Sequence, residues 1–128
     1  MQALVVDDSR AVRMMLKRML TESGFDTVSE AGHGLEALER LGEGPLPDVM
    51  LVDWNMPEMN GIELLRTVRA TPEYRAIPVV MVTTETEASQ VVRALAAGAS
   101  DYVMKPFTKD IIVEKLELLG IVQVPDDV

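Results

Sequence analysis

The chain has 128 residues, of which 48% are hydrophobic, 26% charged and 4% aromatic, and its formal net charge is −9. This length fits one domain with one core, and the composition excludes a disordered chain and a membrane-spanning one. With 12 basic against 21 acidic residues and no basic cluster, direct nucleic-acid binding is disfavoured, whereas sites for cations and basic partners suit the charge.

Short apolar runs alternate with stretches of helical period, which is the pattern of a parallel sheet with crossover helices. The first strand is predicted at residues 3–6, and the helix after it ends at Gly24. A second strand at 27–31 alternates polar and apolar residues, as an edge strand does, and a short helix covers 34–41. The third strand, 49–52, is apolar throughout and is therefore predicted to be central.

The same alternation continues to the end of the chain. A third helix is predicted after Gly61 and a fourth strand at 79–82. The next helix is predicted to end at Gly98, the fifth strand covers 102–104, and the last helix runs from about 108 to 119. The sequence therefore predicts an α/β fold, a doubly wound parallel sheet of five strands with five helices.

Apolar residues at three- and four-residue spacing predict the inward face of each helix. They are Val12, Met15, Leu16, Met19 and Leu20 in the first helix, Leu35, Leu38 and Leu41 in the second, Ile62, Leu65 and Val68 in the third, Ala88, Val91, Val92, Leu95 and Ala96 in the fourth, and Ile112, Leu116 and Leu119 in the fifth. His33, between two glycines, is interpreted as an exposed loop residue without a role. We expect residues 1–120 to form the domain and 121–128 a short tail.

Four of the five predicted strands end in side chains that can take part in chemistry. Asp7 and Asp8 follow the first strand, Asp53 the third, Thr83 the fourth and Lys105 the fifth. Ligands of open α/β sheets bind outside the carboxyl ends of the strands, so these side chains are predicted to meet at one edge. Singly, each has a simpler explanation as a helix cap, a turn, a strand end or a solvated lysine. Their joint occurrence favours a site.

Three carboxylates at one edge repel one another unless a cation neutralises them. Mg²⁺ prefers oxygen ligands, and Asp8 and Asp53 are its predicted direct ligands. Lys105 would then provide a fixed positive charge and Thr83 a hydroxyl donor. An aspartate beside a bound cation and a lysine can accept a phosphoryl group, and Asp53 is the predicted nucleophile.

Four motifs, in this order and spacing, resemble the receiver domains of two-component response regulators, especially their single-domain chemotaxis members. The motifs are Val6-Asp7-Asp8-Ser9, Asp53-Trp54-Asn55-Met56-Pro57 through Gly61, Val82-Thr83-Thr84-Glu85, and Lys105-Pro106-Phe107. The resemblance spans the chain up to about Leu119. It implies a flavodoxin-like fold with the strand order 2-1-3-4-5 and a cis bond between Lys105 and Pro106.

The resemblance also implies the chemistry of the site. A histidine kinase would phosphorylate Asp53, with Mg²⁺ as cofactor. Asp8, Asp53 and the backbone carbonyl of Asn55 would hold the ion, and Asp7 would act through water. The implied phosphoryl-binding residues are Asn55, Thr83, Thr84 and Lys105. Thr83 would move to bond the phosphoryl group, and Tyr102 would swing into the space that Thr83 vacates.

Chemotaxis signalling is implied by two further positions. Asn55, two residues after Asp53, and Glu85, two residues after Thr83, are typical of members with a short-lived phosphorylated state. The implied output face comprises Gln90, Arg93, Tyr102 and Lys115. Its partner in a motility system would be the flagellar motor switch. A monomer that catalyses its own phosphorylation and dephosphorylation is expected, not an enzyme with a separate substrate.

Three alternatives compete with this interpretation. A phosphatase that forms an aspartyl-phosphate would need a second acid two residues after the nucleophile, where this chain has Asn55. A flavodoxin-like nucleotide binder would not place two aspartates after its first strand. A receiver that acts in a non-chemotaxis relay, or one excised from a longer regulator, would have the same sequence features. The absence of cysteine and of a signal-peptide pattern leads us to expect a cytoplasmic location.

Overall fold

The structure is a computed structural model that describes residues 1–84 and 90–121. Its elements are β1 (Gln2–Val6), α1 (Arg10–Glu22), β2 (Thr27–Ala31), α2 (Gly34–Gly42), β3 (Val49–Asp53), α3 (Gly61–Ala70), β4 (Val79–Thr84), α4 (Val91–Ala96), β5 (Asp101–Lys105) and α5 (Lys109–Leu118). The strands are parallel and ordered β2-β1-β3-β4-β5, which confirms the predicted doubly wound sheet. Within the described ranges, no helix combines the length and apolar character needed to cross a membrane.

The central strand β3 separates two apolar clusters, one on each face of the sheet. Val49 and Leu51 contribute to the cluster that also contains buried residues of α1 and α5. Met50 and Val52 contribute to the other, which contains buried residues of α2, α3 and α4. This alternation follows from the two-residue period of a strand. All five residues of β3 are buried, so the prediction of a central third strand is confirmed.

The predicted inward faces of three helices are partly wrong, because Met15, Leu35, Val92, Leu95 and Ala96 are exposed. In α4 only Val91 and Ala94 are buried, and Val92 is 72% exposed. A segment that is apolar on several sides does not specify which stripe packs on the sheet, so the neighbouring strand decides it. Ala88, also predicted to face inward, lies outside the described residues.

The residues that cap the helices differ from the predictions at one position. Ser9 caps α1, its side chain accepting the N–H of Val12 at 3.3 Å. His33 lies outside α2, as predicted, but it is half-buried and caps that helix: its Nδ1 accepts the N–H of Glu36 at 3.2 Å. Gly98 follows α4 with a φ of 109°, as a helix-ending glycine does.

Candidate functional site

Three aspartates converge at the carboxyl edge of the sheet, as predicted. One carboxylate oxygen from each of Asp7, Asp8 and Asp53 lies within 4.8 Å of the other two. Asp7 and Asp53 are buried, at 1% and 6% exposure, whereas Asp8 is exposed. Lys105 joins the group, with its Nζ 3.2 Å from Asp53 Oδ1 and 3.4 Å from Asp7 Oδ2. The peptide bond from Lys105 to Pro106 is cis, which confirms what the resemblance implied.

The pleat of the strands explains why these side chains meet. Asp53 follows Leu51 by two residues and Lys105 follows Val103 by two, so both lie on the face whose apolar cluster contains Leu51 and Val103. Asp7, two residues beyond Val5 of the same cluster, continues that face from β1. Lys105 therefore reaches across β4 to place its ammonium between the carboxylates of two other strands.

Asp7 is held by contacts that the sequence analysis did not assign. Its Oδ1 accepts the backbone N–H of Ser9 at 2.8 Å, and its backbone carbonyl accepts a hydrogen bond from Arg13 Nη1 at 2.6 Å. Arg13 Nε also donates to Glu30 Oε1 at 3.2 Å. These contacts fix the loop that carries the aspartate pair. The capping contact of Ser9 also means that Ser9, and neither aspartate, is the N-cap of α1.

Burial and charge shift the pKa values of the site. Desolvation by burial, reinforced by the carboxylate of Asp7, raises the pKa of Asp53 from 3.8 to about 6, although Lys105 opposes the shift. Burial by itself would lower the pKa of Lys105, but the carboxylates of Asp53 and Asp7 outweigh it and raise that pKa. At neutral pH the site therefore holds an ionised Asp53 beside a protonated Lys105.

The segment after β3 brings the next helix close to Asp53. Gly61 begins α3, and its N–H donates to the carbonyl of Trp54 at 3.0 Å. A side chain at this position would collide with the carbonyl oxygen of Asp53. Between them, Glu58 has a φ of 67°, in the left-handed region that side chains rarely adopt. Asn55 is exposed on this segment and makes contacts with the rest of the chain, as Thr84 does on β4.

The two predicted switch residues lie on the other face of the sheet. Met81 and Tyr102 are register partners and pack in the same apolar cluster, and Thr83 continues that face two residues after Met81. Thr83 is 1% exposed, and its Oγ1 has no hydrogen-bond partner among the described residues. Buried hydroxyls are normally bonded, so this unsatisfied oxygen is an exception that calls for a functional explanation. Glu85, predicted to matter nearby, lies outside the described residues.

The predicted output residues come from three elements: Gln90 is the N-cap of α4 and Arg93 lies within it, Tyr102 lies on β5 and Lys115 on α5. Arg93 is exposed, while Gln90, Tyr102 and Lys115 are half-buried. The amide oxygen of Gln90 is buried without a partner in the described ranges. Lys115 Nζ lies 5.0 Å from the ring centroid of Tyr102 and 3.2 Å from Asp101 Oδ1.

The donor set suits a hard divalent cation. Three carboxylates face one ammonium, so two negative charges remain uncompensated at close range. Oxygen ligands with this excess of negative charge are typical of Mg²⁺ sites. The described residues therefore fit the predicted ion, with Asp8 exposed to solvent and Asp53 buried beside it.

Comparison with known proteins agrees with the fold. The family model described as the response regulator receiver domain matches residues 3–117. The chain is 45% identical over 119 residues to chemotaxis protein CheY1 of Helicobacter pylori, covering 93% of this chain and 96% of the relative. It is 49% identical over 117 residues to a CheY homolog of Campylobacter jejuni, covering 91% and 90%. The structure of CheY4 of Vibrio cholerae superposes with a TM-score of 0.84 at 34% identity, covering 92% of this chain and 97% of that one.

Proposed function

Because the chain belongs to the response regulator receiver family and is of the CheY type, we propose that it is a phosphoacceptor of a two-component system. Asp53 would accept a phosphoryl group from the phosphohistidine of a histidine kinase. The observation that carries this proposal is the position of Asp53, which lies beside the Lys105 ammonium and two further carboxylates at the carboxyl edge of the sheet. A buried carboxylate with this surrounding charge is poised to act as a nucleophile.

The transfer needs an ionised carboxylate and a fixed positive charge. An oxygen of Asp53 forms a bond to phosphorus while the phosphorus–nitrogen bond of the donor breaks, and the electron pair of that bond stays on the donor imidazole. Lys105 pairs with the phosphoryl oxygens, and its 3.2 Å contact with Asp53 already holds it beside the reacting oxygen. Positioning and charge neutralisation are the main requirements of such a transfer.

Asp8, Asp53 and the backbone carbonyl of Asn55 would hold Mg²⁺. When bound, the ion would neutralise negative charge on the transferred phosphoryl group. Asp7 would act through water, which agrees with the engagement of its own oxygens by the Ser9 N–H and by Lys105. The remaining phosphoryl-binding groups are assigned to Asn55, Thr83 and Thr84. The unpartnered hydroxyl of buried Thr83 supports its place in this set.

The output is a population shift that couples Thr83 to Tyr102. Thr83 lies diagonally from Tyr102 on the same face, because Tyr102 is the register partner of Met81. Movement of Thr83 towards the phosphoryl group opens space on that face, and the Tyr102 ring moves into it. To convert a mostly inactive population into a mostly active one, phosphorylation must favour the second state by about 3 kcal/mol or more.

Chemotaxis is the pathway that the relatives favour, since the Helicobacter pylori and Campylobacter jejuni proteins are both named as chemotaxis proteins. The partners would then be a CheA-like histidine kinase and the flagellar motor switch. Gln90, Arg93, Tyr102 and Lys115 would form the output face. The chain would catalyse its own phosphorylation and dephosphorylation. Its phosphorylated state would be short-lived, as Asn55 two residues after Asp53 indicates. A half-life of hours with Mg²⁺ present would contradict that lifetime.

The proposal is tested by incubating the protein with acetyl phosphate and Mg²⁺ and measuring its intact mass. We expect a labile adduct of one phosphoryl group, lost on standing and absent from Asp53→Asn. The matched control is Asp48→Asn, which changes an exposed aspartate just before the opposite end of the same strand and should phosphorylate normally. Equal labelling of Asp53→Asn, or no adduct on the unaltered chain, would overturn the proposal.

A further inference from the structure

An ion pair between Asp101 and Lys115 contacts both the backbone and the ring of Tyr102, and the phosphoacceptor chemistry does not use it. Asp101 Oδ1 accepts the backbone N–H of Tyr102 at 2.8 Å, and the same oxygen lies 3.2 Å from Lys115 Nζ. That ammonium is 5.0 Å from the centroid of the Tyr102 ring. One carboxylate oxygen therefore fixes the backbone of Tyr102 and also holds a cation against its ring.

The geometry makes the two contacts depend on each other. The pair is partly buried, with Lys115 25% and Asp101 20% exposed, so solvent screens it less than a surface pair. An ammonium within about 6 Å of a ring centroid is attracted to the ring face. The Tyr102 ring also packs against the apolar cluster of α2, α3 and α4. The ring is thus held between that core and the Lys115 ammonium, and Asp101 keeps the ammonium there.

We propose that Asp101 and Lys115 are positioning residues that hold Tyr102 in the position described here and so oppose its switch. This inference rests on the proposed function, in which the Tyr102 ring moves towards the space that Thr83 vacates. That movement takes the ring away from Lys115 and gives up the cation–π contact. The Asp101–Lys115 pair therefore lowers the fraction of molecules that adopt the switched position before phosphorylation. It also opposes that position after phosphorylation.

The experiment follows the Tyr102 ring by ¹⁹F NMR in protein labelled with 3-fluorotyrosine. The chain has two tyrosines, and Tyr74→Phe leaves Tyr102 as the single label. Mg²⁺ with beryllofluoride, a phosphoryl mimic, defines the resonance of the switched position. We expect Asp101→Asn to move the Tyr102 signal towards that resonance without beryllofluoride. The ratio of the two positions should change by about five-fold, since a cation–π contact and a partly buried ion pair together correspond to roughly that factor.

Three further variants separate positioning from general loosening. Lys115→Gln should reproduce the shift, and the double variant with Asp101→Asn should add little to it, because both changes remove one interaction. Asp101→Glu should restore part of the unaltered ratio. Asp110→Asn is the matched control: it removes the same charge from an exposed residue of α5 that forms no ion pair within the described residues.

The outcomes distinguish this inference from the proposed function. If beryllofluoride moves the Tyr102 signal but Asp101→Asn behaves as the unaltered chain or as Asp110→Asn, the positioning role of Asp101 and Lys115 is overturned and the switch of Tyr102 stands. If beryllofluoride leaves the Tyr102 signal unchanged in the unaltered chain, the switch of Tyr102 is overturned, and the positioning role with it. Thermal unfolding of each variant shows that the folded protein is being compared.

Discussion

Charged side chains have different partners at the amino edge and at the carboxyl edge of the sheet. At the amino edge, Arg69 donates to the carbonyls of Gly98 at 2.8 Å and Ile77 at 2.7 Å, and it contacts Ser100 Oγ at 3.4 Å. Neutral acceptors satisfy this guanidinium, although burial lowers its pKa. At the carboxyl edge, Asp7 and Asp53 are buried together beside one Lys105, and Thr83 Oγ1 has no partner within the described ranges.

This difference indicates what each edge is for. An arginine whose Nε and Nη1 donate to carbonyls fastens the end of α3 to the segments that precede β4 and β5. Like charges at close range and an unsatisfied hydroxyl reduce stability, and such features concentrate at functional sites. The amino edge thus stabilises the fold, and the carboxyl edge gives up stability for chemistry. Substitutions at each edge test that division.

The largest effect is expected for Gly61→Ala at the carboxyl edge. The added methyl group would collide with the carbonyl oxygen of Asp53 and lie 3.0 Å from Trp54 Cα, so backbone must move. We expect a loss of about 3–4 kcal/mol in the free energy of unfolding, measured by urea denaturation. Gly44→Ala, with no atom within 4 Å, should change it by less than about 0.5 kcal/mol. Equal losses in the two variants would contradict the close approach.

The next effect concerns Arg69, on which the amino edge depends. Arg69→Met keeps much of the side-chain length but removes the donors to the Gly98 and Ile77 carbonyls. We expect a loss of about 2–3 kcal/mol by urea denaturation. The loss should change little with salt because the partners are neutral. Arg66→Met, at an exposed arginine of the same helix, is the control and should cost less than about 0.5 kcal/mol. A similar cost in both would remove the special role of Arg69.

Removing the repulsion at the carboxyl edge should stabilise the protein. The pKa of Asp53 is raised from 3.8 to about 6, so its protonated form stabilises the fold below about pH 4 and this contribution is lost as the pH rises through 6. Without metal at pH 7.5, Asp53→Asn should therefore gain about 1–2 kcal/mol, less than the roughly 3 kcal/mol that the shift allows because asparagine is still polar. Near pH 4 the gain should vanish.

The control for that stabilisation is Asp48→Asn, at the other end of β3. Asp48 Oδ2 accepts the N–H of Gln2 at 2.7 Å, so its replacement should give no gain at either pH. Unfolding in EDTA at several pH values measures both variants. If Asp53→Asn is less stable than the unaltered chain at pH 7.5, crowding of carboxylates does not weaken this edge.

The smallest expected effect lies at the start of α2. His33→Ala removes the cap on the Glu36 N–H and should cost about 1 kcal/mol, whereas His33→Asn, a good capping residue, should retain most of the stability. Amide exchange at Glu36 should accelerate in the alanine variant alone. Unchanged exchange there would show that the imidazole contributes no cap.

Several features of the fold follow from local patterns. The all-apolar run of β3 predicted a central strand, and the alternation of Thr27–Ala31 predicted an edge strand, because strand burial depends on a short-range period. The placement of Asp7, Asp53 and Lys105 at one edge was also predictable, since parallel strands present their carboxyl ends together. Helix faces were less predictable: Val92 and Leu95 are apolar yet exposed.

By itself, the sequence determined that acidic and basic side chains from separate strands meet beside Asp53. Only the tertiary structure decided how those groups share charge and space. Burial of Asp7 but exposure of Asp8, the reach of Lys105 across β4, and the ion pair against Tyr102 all depend on contacts between residues far apart in the chain. A linear pattern fixes which face of a strand a residue occupies, whereas distance, desolvation and pairing arise only when the elements pack.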